Sequence, residues 1–342
     1  MKVFINGRFL TQQPTGVQYF AQEICKELEN VIDFAILVPK NQRIVNKSLS
    51  HKVVRVGKLK GYLWEQISLP NYIKKQKKGV LINLCNLAPL TLKNQIVTIH
   101  DLAFVQNKNW FSPSFHKIYN FIIPKIAVKS KAVLTVSETI KRELLSTYQL
   151  SDDKVHVVYN KVSQKLLEVI PKKPNKEIEP RDYFLMVGAN NPRKNFDFVT
   201  SLFLTGQFKE KLVIVGSSHQ SFNTSNKKIP TSNHVIFISK TSSKELAWLY
   251  QNTKAVINPS FYEGFGIPNL EAMYFKVPLL CSNIPVFKEI SGDYSSYFEL
   301  GNEKDFIHQL TNIDEHPSEG KNRFSFFQSQ NRSEQIKVIL GL

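Results

Sequence analysis

The sequence predicts an α/β protein built from two parallel-sheet domains that face each other across a cleft. Three observations carry the prediction. Short apolar runs alternate with amphipathic stretches through both halves, as in strands joined by crossover helices. The chain, at 342 residues, is long enough for two domains with separate cores. Between the halves, KVSQKLLEVIPKKPNKEIEPRD carries three prolines from Pro171 to Pro180 amid alternating charge, the composition of a linker.

In the first half the runs KVFIN, FAILVP, VLINL, IVTIH, AVLTVS and VHVVYN are the expected strands. Helices are expected over VQYFAQEICKELE, PSFHKIYNFIIPKIAVKS and SETIKRELLSTYQ; in the second of these Phe115, Ile118, Tyr119 and Ile122 keep helical spacing. In the second half the strands are YFLMVG, KLVIVGSS, HVIFIS, AVINPS and VPLLCSN, and the helices NFDFVTSLF, SSKELAWLYQN and NLEAMYF. The polar stretches SSHQSFNTSNKKIPTSN and IDEHPSEGKNR are expected as excursions from this frame. The domains then divide as 1–165, a linker at 166–180, 181–325, and a C-terminal helix at 326–342 that packs back on the first domain.

Composition narrows the function. The apolar and charged fractions are those of a folded soluble protein. MKVFINGRFL reads as a strand rather than a secretory signal, and no window approaches a membrane span. Three scattered cysteines, Cys25, Cys85 and Cys281, fit no zinc or disulfide framework, so the expected compartment is the cytoplasm. Charge is uneven: residues 1–170 hold 25 Lys and Arg against 11 Asp and Glu, whereas residues 171–342 hold 20 against 17. A basic first half points to an anionic partner such as a lipid surface or a phosphorylated lipid. The lysine pairs Lys74-Lys75 and Lys77-Lys78, beside Tyr72 and Ile73, are the candidate contact with anionic inner-leaflet lipid, which would make the protein peripheral on that membrane. Nucleic acid is not an expected partner, because basic-aromatic motifs are lacking and the charge is scattered.

The chemistry concentrates in PSFYEGFGIPNLEAM, residues 259–273. Pro268 suits the first position of a helix, and Gly266 or Ile267 its cap. Glu263 lies in the preceding loop and Glu271 about one turn into the helix, its side chain tilted back toward the start. Both carboxylates therefore border a helix N-terminus, which favours an anion, and Gly264 and Gly266 let the backbone come close. An anion site flanked by two hydrogen-bond acceptors suits a nucleoside diphosphate sugar, with hydroxyls at both ends of a diphosphate. Arg193 and Lys194 follow the strand ending VGANN, at the carboxyl edge where a parallel sheet binds ligands. His100 and Asp101 end IVTIH at the corresponding edge of the first domain, and Gly16 lies in the loop PTGVQ before a helix.

PSFYEGFGIPNLEAM resembles the glutamate–seven–glutamate signature of the retaining glycosyltransferases of family 4, whose fold is GT-B, two Rossmann-like domains facing each other across a cleft. The resemblance runs in order over nearly the whole chain. INGRFLTQQPTGVQYFAQEICKEL is similar to the family's first strand, glycine loop and helix. LWEQISLP, IVTIHDLAF and VLTVSETIKREL match blocks of its bacterial O-antigen and polysaccharide branch, and YFLMVGANNPRKNFD resembles the opening of its donor domain.

The resemblance implies roles. Glu271 would bind the ribose, Glu263 the donor sugar, and the backbone at Phe265, Gly266 and Ile267 would lie near the diphosphate or sugar. Arg193 and Lys194 would clamp the phosphates, Gly16 would approach the diphosphate, and His100 would point at the transferred sugar with Asp101 orienting it. Two positions depart from the family: Ala189 stands where many members have arginine, and Asn160-Lys161 replaces Asn-Gly. The implied reaction moves a sugar from a nucleoside diphosphate to a hydroxyl of a glycan or lipid-linked glycan, with retention. No Asp-x-Asp motif is present, so no cofactor and no divalent metal is expected. The alternatives are a nucleotide-sugar 2-epimerase of the same fold and a basic nucleic-acid-binding module.

Overall fold

The computed structural model describes residues 1–13, 15–45, 49–216, 232–313 and 317–342. Pro14 of PTGVQ, nearly all of the polar stretch at 217–233, and residues 314–316 of IDEHPSEGKNR lie outside the described residues. The chain forms two compact units, one of Met1–Val105, His116–Tyr159 and Asn331–Leu342, the other of Gln106–Phe115 and Asn160–Gln330.

The first unit holds a seven-stranded parallel sheet of β1 (Lys2–Asn6), β2 (Phe34–Pro39), β3 (Val53–Val56), β4 (Gly79–Asn83), β5 (Gln95–Thr98), β6 (Ala132–Thr135) and β7 (Val155–Val157). Their spatial order is β3-β2-β1-β4-β5-β6-β7, so β1 pairs with β2 on one side and β4 on the other. Strands covered on both faces must be apolar at consecutive positions, and Val3, Phe4 and Ile5 of β1 are all buried. The strand β3 has no counterpart among the apolar runs of the sequence: Val54 and Arg55 are exposed on this sheet edge, so the run lacks a buried pattern.

The second unit repeats the plan with β8 (Tyr183–Val187), β9 (Lys211–Val215), β10 (Val235–Ile238), β11 (Val256–Asn258), β12 (Leu279–Ser282) and β13 (Ser295–Phe298), ordered β10-β9-β8-β11-β12-β13. On one face of this sheet Phe184, Met186, Ile214, Ile257, Leu280 and Phe298 form a core with Phe203 and Phe306 of the covering helices. The strand β13, SSYF, is short and half polar and carries no strand signal of its own. In each sheet the order reverses beside the first strand, between β1 and β4 and between β8 and β11. Connections leave in opposite directions there and open a crevice at the carboxyl edge, the place where such sheets bind ligands.

Two segments depart from the sequence boundaries. The proline-rich stretch at 166–180 is no free tether: Leu166 and Ile178 are buried and the Lys172 amide donates to the Lys244 carbonyl at 3.1 Å, so it lies on the second unit. Gln106–Phe115, from the first half of the sequence, also belongs to the second unit, where Trp110 stacks on Phe261 at 6.4 Å between ring centres. The C-terminal stretch is two helices, Pro317–Gln328 and Arg332–Leu340. The second belongs to the first unit, where Arg332 pairs with Glu27 and the Lys131 ammonium donates to the Ile339 and Leu340 carbonyls at 3.1 and 3.2 Å.

Candidate active site

The loops after β8 and β11 meet at the reversal point of the second sheet. After β8 the chain makes a short 3-10 turn, Pro192–Lys194, ended by Asn195 in the left-handed region at φ 56°. After β11 it runs through Ser260 to Gly266, which caps the helix Ile267–Phe275. The two loops are joined backbone to backbone, the Phe261 amide donating to the Arg193 carbonyl at 2.9 Å. Side chains finish the junction. Arg193 Nη1 donates to Glu263 Oε2 and to the Tyr262 carbonyl, both at 2.7 Å. The Lys194 ammonium donates to Glu263 Oε1. The structure thus gathers Arg193, Lys194 and Glu263 in one buried cluster, two cations sharing one carboxylate.

Its charge state follows. Burial works to raise the Glu263 pKa, but Arg193 and Lys194 override it and hold the group down to about 2. Glu263 is therefore ionised at any working pH and cannot deliver a proton. With one carboxylate against two cations, the cluster keeps one positive charge for an incoming anion. Glycine at 188 makes room for this: a Cβ there would come within 3.2 Å of Lys194 Cε.

Beneath the cluster runs a buried polar chain. The Ser260 hydroxyl lies 3.0 Å from Glu263 Oε1 and 2.9 Å from Asn258 Oδ1. Asn258 Nδ2 donates to Asn269 Oδ1 at 2.7 Å, and Asn269 Nδ2 reaches Cys281 Sγ and Ser291 Oγ, each at 3.1 Å. Asn258 and Asn269 are therefore locked to each other under the loop that carries Glu263. Sequence reasoning missed all of these. The only signal was three small polar residues, Asn258, Ser260 and Asn269, inside an otherwise apolar strand-and-helix pattern.

The helix start differs slightly from expectation. Gly266 is the cap, at φ 101°, Ile267 is first and Pro268 second in the helix. Only glycine tolerates that backbone, and a Cβ would also meet Phe287 at 2.9 Å. Proline has no N–H, and the Asn269 amide donates to the Gly266 carbonyl at 3.0 Å. The amides of Gly266 and Ile267 remain as donors that the first turn does not use. Phe265 is buried edge-on against Phe327, an anchor for the loop rather than a ligand-facing side chain.

Glu271 is anchored apart from the cation cluster. The Tyr250 hydroxyl donates to its Oε2 at 2.5 Å, and Tyr250, fully buried, stacks on Phe275 at 5.2 Å. Burial raises the Glu271 pKa to about 7, against the pull of the Tyr250 hydrogen bond. The two glutamates eight residues apart are thus shifted in opposite directions, and Tyr250 is a second residue that the sequence did not single out.

In the first unit, His100 follows β5 and is buried. Its Nε2 faces the Leu84 carbonyl at 2.9 Å, so that nitrogen carries the hydrogen and Nδ1 is the acceptor. Its backbone N–H donates to Asn86 Oδ1 at 2.8 Å, and Phe20 packs edge-on at 4.9 Å. Burial lowers its pKa, against the Leu84 carbonyl and Asp101, so the ring favours the neutral form. Asp101 serves the backbone: its Oδ1 accepts from the Ala103 N–H at 3.1 Å and starts the turn of helix Ala103–Gln106. Gly16 is the exposed first residue of helix Gly16–Leu28, and a Cβ there would meet nothing within 4 Å. The fold itself does not require glycine at this position. Among the described residues, no three His, Cys, Asp or Glu side chains group as metal ligands.

Comparison with known proteins follows the same two-part division. Residues 14–165 match the family model described as Glycosyltransferase Family 4, and residues 170–325 the model described as Glycosyl transferases group 1. The O-antigen chain mannosyltransferase RfbU of Salmonella typhimurium is 28% identical, with 99% of this chain and 98% of that protein covered. The serotype-specific mannosyltransferase WbdA of Escherichia coli is 36% identical over 34% of this chain and 15% of its own length. Among solved structures, Anabaena HepE in complex with UDP superposes with TM-score 0.74 over the whole of both chains at 13% identity. WaaG, a glycosyltransferase involved in lipopolysaccharide biosynthesis, superposes with TM-score 0.69 over the whole of both chains at 14% identity. At such identities the likeness is one of fold.

Proposed function

We propose that this chain, which belongs to the family 4 glycosyltransferases and has their GT-B fold, transfers a hexose from a nucleoside diphosphate sugar to a hydroxyl of a glycan or lipid-linked glycan, with retention at the anomeric carbon. The observation that carries the donor assignment is the cluster in which Arg193 and Lys194 share Glu263 at the reversal point of the second sheet. Its positive charge, with the amides of Gly266 and Ile267, suits a diphosphate; Glu271 accepts from the ribose hydroxyls and Glu263 from the sugar. The names of the relatives make mannose the first sugar to test and O-antigen synthesis the first setting.

In this reading the acceptor oxygen attacks the anomeric carbon on the face the diphosphate leaves, and its proton passes to the departing phosphate. Glu263, ionised and tied to two cations, is neither acid nor nucleophile; it fixes Arg193 and Lys194. Those cations take up the charge that builds on the leaving group, which is why no divalent metal is needed. His100, neutral with Nδ1 as acceptor, receives a hydrogen bond from a hydroxyl of the transferred sugar.

The basic first unit supports peripheral contact with anionic lipid on the cytoplasmic face of the membrane. The expected apolar partners change: Ile73 is buried and Tyr72 packs edge-on to Phe4 at 5.9 Å. Leu59, Leu63 and Ile67 are the exposed apolar residues nearby in sequence, flanked by exposed Lys58 and Lys60. Among the described residues no helix is long and apolar enough to cross a membrane.

A thermal-shift screen of GDP, UDP and dTDP, repeated with a chelator, tests the reading. One nucleotide should stabilise the protein by roughly 2.7 kcal/mol at a hundred times its dissociation constant, with or without the chelator. Incubation with the matching sugar nucleotide and no acceptor, followed by NMR, tests the 2-epimerase alternative; a new epimer would establish that enzyme instead.

A further inference from the structure

The block LWEQISLP takes no part in the donor site, yet its side chains are elaborately placed. Trp64–Ser68 is one turn of π-helix, a geometry that recurs at functional sites. Trp64, fully buried, donates from Nε1 to the Val56 carbonyl at 2.7 Å and anchors the turn. Gln66 pins a neighbouring loop, donating to the Ala88 carbonyl at 2.9 Å and accepting from the Leu90 amide at 3.0 Å. Between them Glu65, 2% exposed, points inward. Its Oε2 accepts from Arg8 Nη1 at 2.7 Å and its Oε1 from Asn6 Nδ2 at 2.6 Å. Asn6 Nδ2 is also 3.1 Å from Asn83 Oδ1, and Asn83 Nδ2 donates to Gln95 Oε1 at 3.2 Å. A buried polar line therefore runs from Arg8 across β1, β4 and β5.

Its place is the reversal point of the first sheet. Arg8 follows β1, Asn83 ends β4, and Cys85 lies in the loop after it. Cys85 Sγ lies 3.7 Å from the Val17 carbonyl, in the helix that Gly16 begins. Arg8 lies over the Tyr62 ring, 4.4 Å from its centre, and its side chain keeps 17% of its surface open. A buried ion pair is a poor stability device, since apolar residues of similar volume serve as well. At the ligand edge of a parallel sheet it is better explained as a positioning device.

We propose that Arg8, held by Glu65 and backed by Tyr62, is a binding residue for the acceptor, and that it recognises the hydroxyls of a neutral sugar. The inference rests on the proposed transfer reaction. Its charge balance sets the ligand class. One guanidinium on one carboxylate is a neutral pair, so the remaining N–H donors meet hydroxyl oxygens without the net charge a phosphate calls for. The aromatic ring beside the guanidinium fits the same ligand, being apolar on its face and polar at its edge.

The test uses the full chain with a nucleoside diphosphate bound, and saturation-transfer NMR with the methyl α-glycosides of mannose, galactose and rhamnose. At least one glycoside should bind; Arg8→Gln should weaken it by about tenfold or more, the loss expected for a hydrogen bond to a charged group, and Tyr62→Leu by about two- to tenfold, the loss expected for an aromatic contact. The thermal shift with nucleotide should be unchanged in both. Should Arg8→Gln fail to fold, Tyr62→Leu carries the test. Undiminished glycoside binding in the variants, no binding of any of the three to the wild type, or inorganic pyrophosphate binding that depends on Arg8 would each overturn the inference while the nucleotide response stood. Absence of any nucleotide response in the wild type would overturn the transfer reaction, and this inference with it.

Discussion

Each sheet reverses its strand order beside its first strand, and at each reversal an arginine from the first loop meets a buried glutamate. The two clusters differ by a single charge. In the first unit Arg8 has Glu65 to itself, and the pair is neutral. In the second, Arg193 and Lys194 share Glu263, which leaves a net cation. The ligands proposed above follow that difference: hydroxyls for the neutral pair, a diphosphate for the positive cluster. The comparison also shows what a buried carboxylate does in such a place. Each glutamate accepts from the cations beside it and so fixes their direction.

The largest expected effect comes from removing the shared carboxylate. Glu263→Gln leaves two buried cations facing each other, and denaturant unfolding should show a loss of about 3–5 kcal/mol. The linkage sign agrees. A carboxylate held at about 2 in the folded state contributes stability above its ordinary pKa near 4.5, lost as pH falls toward 2. In the first unit Glu65→Gln should cost less, about 1–3 kcal/mol, because Arg8 can reach water. Equal costs would erase the distinction between the clusters.

Lys194→Met tests the surplus charge itself. It leaves Arg193 and Glu263 as a neutral pair, turning the second crevice into a likeness of the first. Turnover should fall by about 10²–10³, or 2.7–4 kcal/mol, measured as initial rates with the donor saturating. A variant with wild-type turnover would remove the lysine from the reaction.

Glu271 sharpens the contrast within the second unit. With its pKa raised to about 7, nucleotide affinity should weaken as pH falls, by about tenfold between pH 8 and pH 6, because a protonated carboxyl no longer accepts from both ribose hydroxyls. Glu271→Gln should flatten that profile in a calorimetric titration. The stability sign is opposite to that of Glu263. The folded state takes up the proton first, so this glutamate's contribution is present below pH 4.5 and lost as pH rises through 7.

The smallest effect belongs to Gly16. Because a Cβ there meets nothing within 4 Å, Gly16→Ala should leave the melting temperature unmoved and lower turnover a few-fold. A falling melting temperature would mean that the glycine serves the fold instead.

Much of this was legible in the sequence, for identifiable reasons. Strands buried on both faces must be apolar at successive positions, so KVFIN and YFLMVG declared themselves. The exposed edge strand VVRV and the half-polar SSYF could not. Glu263, Arg193 and Lys194 were readable because each sits in a loop directly after a strand, beside a glycine turn that a ligand edge needs. That the three bond to one another was not readable, since the contact spans about seventy positions in the chain. Tyr250, Asn258 and Asn269 were hidden for a related reason: a polar residue inside an apolar element declares a buried partner without naming it. The block LWEQISLP was visible as a block, but its purpose depends on Arg8, which stands 57 positions away from Glu65.

The central claim is that a net cation at the second reversal point grips a diphosphate. Calorimetric titration of GDP, UDP and dTDP, each against its own nucleoside, into the wild type and the double variant Arg193→Ala/Lys194→Ala tests it most directly. One diphosphate should bind the wild type far more tightly than its nucleoside, and the double variant should lose this advantage. A diphosphate that kept its full advantage without both cations would contradict it.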